Sequence, residues 1–316
     1  MYDSENKVGV LVLTCNAEKH LQRCLEPILQ SPLRPKILVI DSSSTDQTRD
    51  IAARLGVQVV VIKPDEFNHG ATREQGRKLL NTEVVVMMTQ DAYPIDAEML
   101  EFLVRPVFSG QCSISYARQV PHQGADLIES FQREFNYPAE SQLRGLEDIK
   151  KYGVYTFFCS NSCAAWSNPA LDQVGGFPAV LSNEDYVTVA RLLSQGHRIA
   201  YVAEALVYHS HTYTLRQEFQ RYFDIGYVRA GHRWIREMAG KDESRGFNFS
   251  AALIKHVSQR QPWLLPRIIA LLAAKWFGYR FGFQARQLPV KWIQWASSQK
   301  YYWHSSYVHS NFHMKQ

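Results

Sequence analysis

Over the first ninety or so residues, apolar positions come in short runs that stop abruptly at polar ones. The run Val8–Thr14 has strand length and ends just before Asn16, the pattern of a parallel strand buried on both faces. Residues 17–30 place Leu21, Cys24, Leu25, Ile28 and Leu29 at helical spacing, and Pro32 and Pro35 close that segment. A second buried strand over 36–40 runs directly into Asp41. A helix over 45–55 opens on the Ser/Thr/Asp run 42–46, and 57–62 supplies a third strand. After the polar stretch 63–72 the pattern predicts a helix over 73–80 and a fourth strand over 84–88, which runs into Thr89, Gln90 and Asp91. Strands alternate with helices throughout. That order predicts an α/β fold, a doubly wound and mostly parallel sheet whose ligands bind outside the carboxyl ends of its strands.

The middle is patterned less regularly. It predicts a strand over 113–118, a helix over 125–136, a strand over 157–166 and a Gly-Gly-Phe-Pro turn at 175–178. A helix over 184–195 opens on Glu184 and Asp185, acids at the positive end of a helix dipole. Short strands over 199–202 and 205–208 then lead into His209, Ser210 and His211. From residue 215 the reading is helical, broken around 240–248 and again at Pro262 and Pro266. The predicted organisation is one α/β domain over 1–214 and a helical extension over 215–316.

Composition is that of a folding protein, with 46% hydrophobic and 21% charged residues among 316. The formal charge of +5 matters once it is located, because ten Lys/Arg and no Asp or Glu lie between Arg245 and Lys315. The basic character belongs to the extension and points to an anionic partner, a lipid surface or, as its rival, nucleic acid. Trp263, Trp276, Trp292 and Trp295 stand in the same segment among leucines and isoleucines, interspersed with Arg267, Lys275, Arg280, Arg286 and Lys291. Its apolar runs fall short of the roughly 20 residues needed to span a bilayer. The expectation is therefore a segment lying flat on an anionic membrane, with packing on the domain or dimer formation as the alternatives. Nucleic acid is set aside as a partner. The five cysteines include no CxxC pair and suggest neither a disulfide framework nor a zinc site, which fits a reducing cytoplasm. The opening MYDSENK lacks the basic start and apolar run of a signal peptide, so export is not expected.

Several strand ends carry chemistry. Asp41 either caps the following helix or accepts from ribose hydroxyls or a base N–H. The segment 66–73 brings His69, Gly70 and Arg73 together ahead of a helix, a cradle for a diphosphate or a plain surface turn. Asp91 could hold a divalent cation, and His209 and His211 alternate on one side of an extended segment so that both could face it. Glu184 and Asp185 offer a general base for an attacking hydroxyl, or simply helix N-terminal acids. No GxGxxG follows the first strand, and there is no GxxxxGK[ST], HExxH or GxSxG, which weakens dehydrogenase, kinase, metalloprotease and esterase readings.

Taken in order, seven segments resemble the family 2 inverting glycosyltransferases of the GT-A fold. They are 13–16 (LTCN), 40–46 (IDSSSTD), 67–73 (FNHGATR), 89–92 (TQDA), 175–177 (GGF), 183–185 (NED) and 207–211 (VYHSH), with 221–226 (RYFDIG) following. More narrowly, the FNHG and TQDA variants resemble bacterial rhamnosyltransferases that use dTDP-L-rhamnose. The resemblance implies that Thr14, Asn16 and Asp41 hold the nucleoside and that Gln90 belongs to the donor site. It implies also that His69, Gly70 and Arg73 lie by the diphosphate, and that Asp91 with His209 or His211 holds Mg2+ or Mn2+. Asp185 would be the base and Glu184 would orient the acceptor. The family's metal motif usually offers two acids where this chain has Gln90, Asp91 and Ala92. With the basic tail, the expected acceptor is a saccharide on a polyprenyl diphosphate, met by a cytoplasmic enzyme peripheral on the inner face of the plasma membrane. A UDP-hexose donor, a non-catalytic glycan- or lipid-binding module on the same fold, and a nucleotidyltransferase are the alternatives.

Overall fold

The computed structural model describes residues 7–240 and 243–308. The opening residues and the end of the basic tail, 309–316, lie outside them. The first half alternates as the pattern predicts: β1 (Val8–Thr14), α1 (Leu21–Leu29), β2 (Lys36–Asp41), α2 (Thr48–Arg54), β3 (Gln58–Val61), α3 (His69–Leu80) and β4 (Val84–Thr89). The second half runs β5 (Tyr93–Pro94), α4 (Met99–Phe108), β6 (Ile114–Val120), α5 (Leu127–Asn136), β7 (Gln142–Arg144), α6 (Ile149–Tyr152), β8 (Cys163–Ser167), α7 (Asn168–Gln173), α8 (Glu184–Ser194) and β9 (Ile199–Tyr208). Helices α9 (Leu215–Gly231), α10 (Arg233–Ala239), α11 (Glu243–Arg260), α12 (Leu265–Gln284) and α13 (Val290–Ala296) complete the described chain.

The strands form one sheet in the order β3-β2-β1-β4-β8-β6-β9-β5, with β7 added on β9. Pairing is parallel from β3 to β4 and between β6 and β9, and β8 runs antiparallel between β4 and β6. Alternate residues of β1 serve opposite faces. Leu11 and Leu13 join a core with Leu38, Met87 and Trp166, whereas Val10 and Val12 pack with Leu21, Cys24 and Leu25 of α1. Both faces are dry, as a continuous apolar strand requires. All five cysteines are free thiols, four of them buried.

Several boundaries differ from the sequence pattern for identifiable reasons. Helix α3 starts at His69 rather than 73, because Asn68 caps it by accepting from the backbone N–H of Gly70 and Ala71 at 3.0 and 2.9 Å. Helices α4 and α7 were not anticipated from the pattern. The strand expected over 157–166 exists only from Cys163, since 153–157 coils as a 3-10 turn. The two strands expected over 199–208 are one, because the register against β6 jumps from Val202 to Leu206 and a bulge absorbs the residues between. Pro266 begins α12 rather than breaking a helix, occupying the first turn where a missing N–H leaves nothing unpaired.

The C-terminal helices share the core of the sheet. Phe223 and Tyr227 of α9, Ile293 of α13 and Trp303 belong to the same apolar cluster as Leu11 and Trp166. Helix α12 approaches α9 closely because Gly278 and Gly282 face the carbonyls of Phe219 and Phe223, and Gly226 faces that of Tyr279. A Cβ at any of these would overlap backbone. Lys275 of α12 pairs with buried Glu218 of α9 at 3.4 Å. Gly282→Ala is expected to lower the thermal unfolding midpoint by a few degrees. Alanine adds about 1 kcal/mol of helix propensity, while overpacking against rigid backbone costs about 1–3 kcal/mol, and calorimetry reads the balance.

Candidate active site

The carboxyl ends of β1, β2 and β4 lie side by side, so Thr14, Asp41 and Thr89 come together through strand register alone. Asp41 is fully buried and organises the loop around it, accepting from the Thr14 hydroxyl at 2.9 Å and the Ser44 backbone N–H at 2.8 Å. Asn16 is exposed beside it with a positive φ of 50°, and its side-chain oxygen accepts from the Thr45 N–H at 3.0 Å. Gln90 bridges the same loop, accepting from the Cys15 N–H at 2.8 Å. The nucleoside residues expected from sequence thus lie in one neighbourhood, with Asn16 facing solvent and Asp41 holding the loop from beneath.

Pairing of Tyr93 with Tyr208 in β5 and β9 sets the end of β9 beside Asp91. His209 and His211 approach its two oxygens at 3.6 and 3.2 Å, and their own Nε2 atoms are 3.1 Å apart. One atom from each of the three residues fits within a 4.8 Å span, the cluster that could hold a metal ion. His209 Nδ1 lies 2.9 Å from Gln119 Oε1, an oxygen that can only accept, so Nδ1 carries the proton and Nε2 turns a lone pair toward Asp91. Burial outweighs the attraction of Asp91 and pushes His209 down to about 3; it lowers His211 as well. Two neutral imidazoles and an ionised carboxylate form a set short of protons, which a divalent cation suits.

In the first turn of α8, Glu184 and Asp185 diverge in character although adjacent. Glu184 is buried and accepts from Arg73 at 2.6 Å and from the Asn161 side-chain amide at 2.9 Å. Burial alone would raise Glu184, but the Arg73 guanidinium wins, with help from His69 and Asn161, and keeps it charged below its usual range. Among the described residues no cation pairs with Asp185. Burial and the charge on Glu184 push it up to about 7, against the backbone N–H groups of Tyr186 and Asn161 that donate to it at 2.7 and 3.3 Å.

The loop 160–162 joins the two groups of acids. Asn161 touches both Glu184 and Asp185, the Ser162 carbonyl accepts from the Thr89 N–H at 3.2 Å, and the Ser160 hydroxyl accepts from Gln119 at 2.9 Å, the residue that orients His209. Asp91 and Asp185 therefore stand at one edge of the sheet. Arg73 and Gly70 lie inside α3 and are buried, Arg73 turned toward Glu184 and Gly70 against the Pro178 carbonyl. His69 is half-buried at the start of α3, and burial, reinforced by Arg73, lowers it to about 4. Gln119 and Asn161 lie outside the residues that the pattern singles out, because each stands beside another polar residue, Arg118 and Ser160, and neither is conspicuous.

A model of Glycosyl transferase family 2 matches residues 9–175, which run from β1 through α7 to Gly175. The chain belongs to glycosyltransferase family 2. It is similar to the O-antigen chain rhamnosyltransferase WbaN of Salmonella anatum, 37% identical over 89% of this chain and 90% of that one. It is similar also to the O-antigen chain rhamnosyltransferase RfbN of Salmonella typhimurium, 34% identical over 98% of this chain and all, 100%, of that one. Among solved structures, residues 1–349 of S. aureus TarS share the fold at a TM-score of 0.52 and 16% identity, covering 88% of this chain and 90% of that one. The mannosyltransferase PcManGT from Pyrobaculum calidifontis does so at 0.53 and 17%, covering 98% and 88%. This family 2 member is a glycosyltransferase of the GT-A fold.

Proposed function

We propose that the chain moves L-rhamnose from dTDP-L-rhamnose onto a saccharide acceptor carried on a polyprenyl diphosphate, working from the cytoplasm on the inner face of the membrane in O-antigen or related surface-polysaccharide assembly. The names of the two relatives at 37% and 34% identity support rhamnose as the sugar. The observation that carries the chemistry is the loop 160–162. It ties Asp185, raised to about 7, to the Asp91, His209 and His211 cluster across one sheet edge.

Asp185 takes the proton from the acceptor hydroxyl as that oxygen attacks the anomeric carbon, while the bond to the nucleoside diphosphate breaks. One displacement inverts the centre, so a β-linked donor gives an α-L-rhamnoside. Glu184, held charged by Arg73 and Asn161, keeps Asp185 basic and sets its place. Asn16 and the loop held by Asp41 receive the nucleoside, with Thr14 and Gln90 shaping its walls. His69 and Gly70 mark the start of α3 on the diphosphate side. Asp91, His209 and His211 would hold Mg2+ or Mn2+, which when bound neutralises charge on the departing diphosphate.

Slow donor hydrolysis tests this without an acceptor. Incubated with a panel of nucleotide sugars and Mg2+ or Mn2+, the chain is expected to release dTDP from dTDP-L-rhamnose fastest. Chelation or Asp91→Ala should slow that release by roughly 100-fold or more. Preferred turnover of a UDP-hexose would replace the donor assignment. No release from any donor would replace catalysis by glycan or lipid binding.

A further inference from the structure

We propose that the outward side of α12 and α13 is the surface that seats this protein on anionic phospholipid, an orientation that rests on the lipid-linked acceptor of the preceding section. Helix α12 has two unlike sides. Ile268, Leu271, Lys275, Gly278 and Gly282 turn inward and are buried. Ile269, Trp276 and Phe277 turn outward and are 61%, 57% and 58% exposed. Helix α13 adds Trp292 and Trp295, exposed at 61% and 59%. The two strips meet across α9, whose Phe219 ring lies 6.2 Å from that of Trp295, tilted against it, and 6.3 Å from that of Phe281 of α12.

So much indole and aliphatic surface is unusual on a protein facing only water, and indoles suit the boundary between headgroups and acyl chains. The charge around it is mainly positive. Arg280 and Lys291 are exposed on the same two helices, Arg267 is exposed but pairs with Asp126 at 3.7 Å, and no acid occurs between Arg245 and Lys315. Anionic headgroups complement that face, whereas a second copy would bring like charges together. No helix among the described residues is long and apolar enough to cross a membrane, so the face lies on the bilayer.

The inner side of α12 links this surface to the chemistry. Lys275 pairs with Glu218 in the first turn of α9, and α9 begins four residues after His211. Docking thus fixes the height of the Asp91 cluster above the bilayer. That suits an acceptor whose diphosphate stays at headgroup level while its saccharide extends toward Asp185.

Co-sedimentation of the full chain with phosphatidylcholine vesicles, with and without about one third phosphatidylglycerol, is the test. The unaltered chain is expected to bind the anionic vesicles. Trp276→Ser with Trp292→Ser should lower its partitioning about tenfold or more. Arg280→Glu with Lys291→Glu should lower binding to the anionic vesicles selectively, and both variants should keep donor hydrolysis unchanged, which shows them folded. The proposal is overturned if the unaltered chain binds neither vesicle, if neither pair of substitutions alters binding, or if the chain is a dimer that the tryptophan pair makes monomeric. Binding is read without donor or acceptor, so such a result leaves the transferase reading standing.

Discussion

Asp185→Asn is expected to slow transfer by about 100- to 10,000-fold while leaving the fold intact, because asparagine keeps the shape but cannot take a proton. The side chain is held by the Tyr186 N–H at 2.7 Å, and an amide oxygen can accept the same bond. In the unaltered enzyme, kcat/KM should fall tenfold per unit as pH drops below about 7, where Asp185 becomes protonated. The same shift predicts a gain in stability for the inactive variant. A carboxyl raised from 3.8 to about 7 binds its proton more tightly in the folded than in the unfolded chain. Its contribution is therefore most favourable below about 4 and declines as pH rises to about 7. Above that, ionised Asp185 opposes folding, and asparagine removes the opposition. The unfolding free energy of Asp185→Asn, read by denaturant titration, should exceed that of the unaltered chain by more at pH 8 than at pH 6, the two margins differing by on the order of 1 kcal/mol. A variant that keeps full activity, or one less stable at pH 8, would remove Asp185 from the base position.

The division between what the sequence displays and what it hides follows chain distance. Asp41 and Asp91 are legible because each terminates an apolar run, and parallel neighbours must end at the same edge. His209 and His211 are legible as an alternating pair, although their closeness to Asp91 depends on the two-residue strand β5, too short to leave a pattern. Arg73 is visible as a cation near a glycine, but its direction is not. A four-residue difference in where α3 begins moves it from the first residue of the helix to the second turn, and its partner Glu184 lies 111 residues away. Gln119 and Asn161 meet the site at partners 90 and 23 residues away, so nothing local marks them. Helix α4 is hidden for another reason. Pro106 lies inside it and interrupts the apolar spacing, two residues before the helix ends at Phe108.

Arg73→Met should be the most destabilising single change near the site, at about 3–5 kcal/mol, because it strands a buried charge. The pair is 2.6 Å long, and its side chains are 4% and 5% exposed, so water cannot take the place of the guanidinium. If the energy lies in the pairing, Arg73→Met with Glu184→Gln recovers most of the loss, since a neutral amide can still accept from Asn161. Denaturant titration of the two single variants and the double variant measures that coupling. The pair also tunes the base. The charge on Glu184 is one of the two causes that raise Asp185, and Arg73 itself opposes the rise. Glu184→Gln removes the repulsion and keeps the cation, so the acid limb of the pH–rate profile should move below 7 even as the variant loses stability. Arg73 facing a departing diphosphate instead would leave that limb in place and show its loss in donor affinity. The position of the limb in Glu184→Gln therefore decides whether Arg73 serves the base or the leaving group.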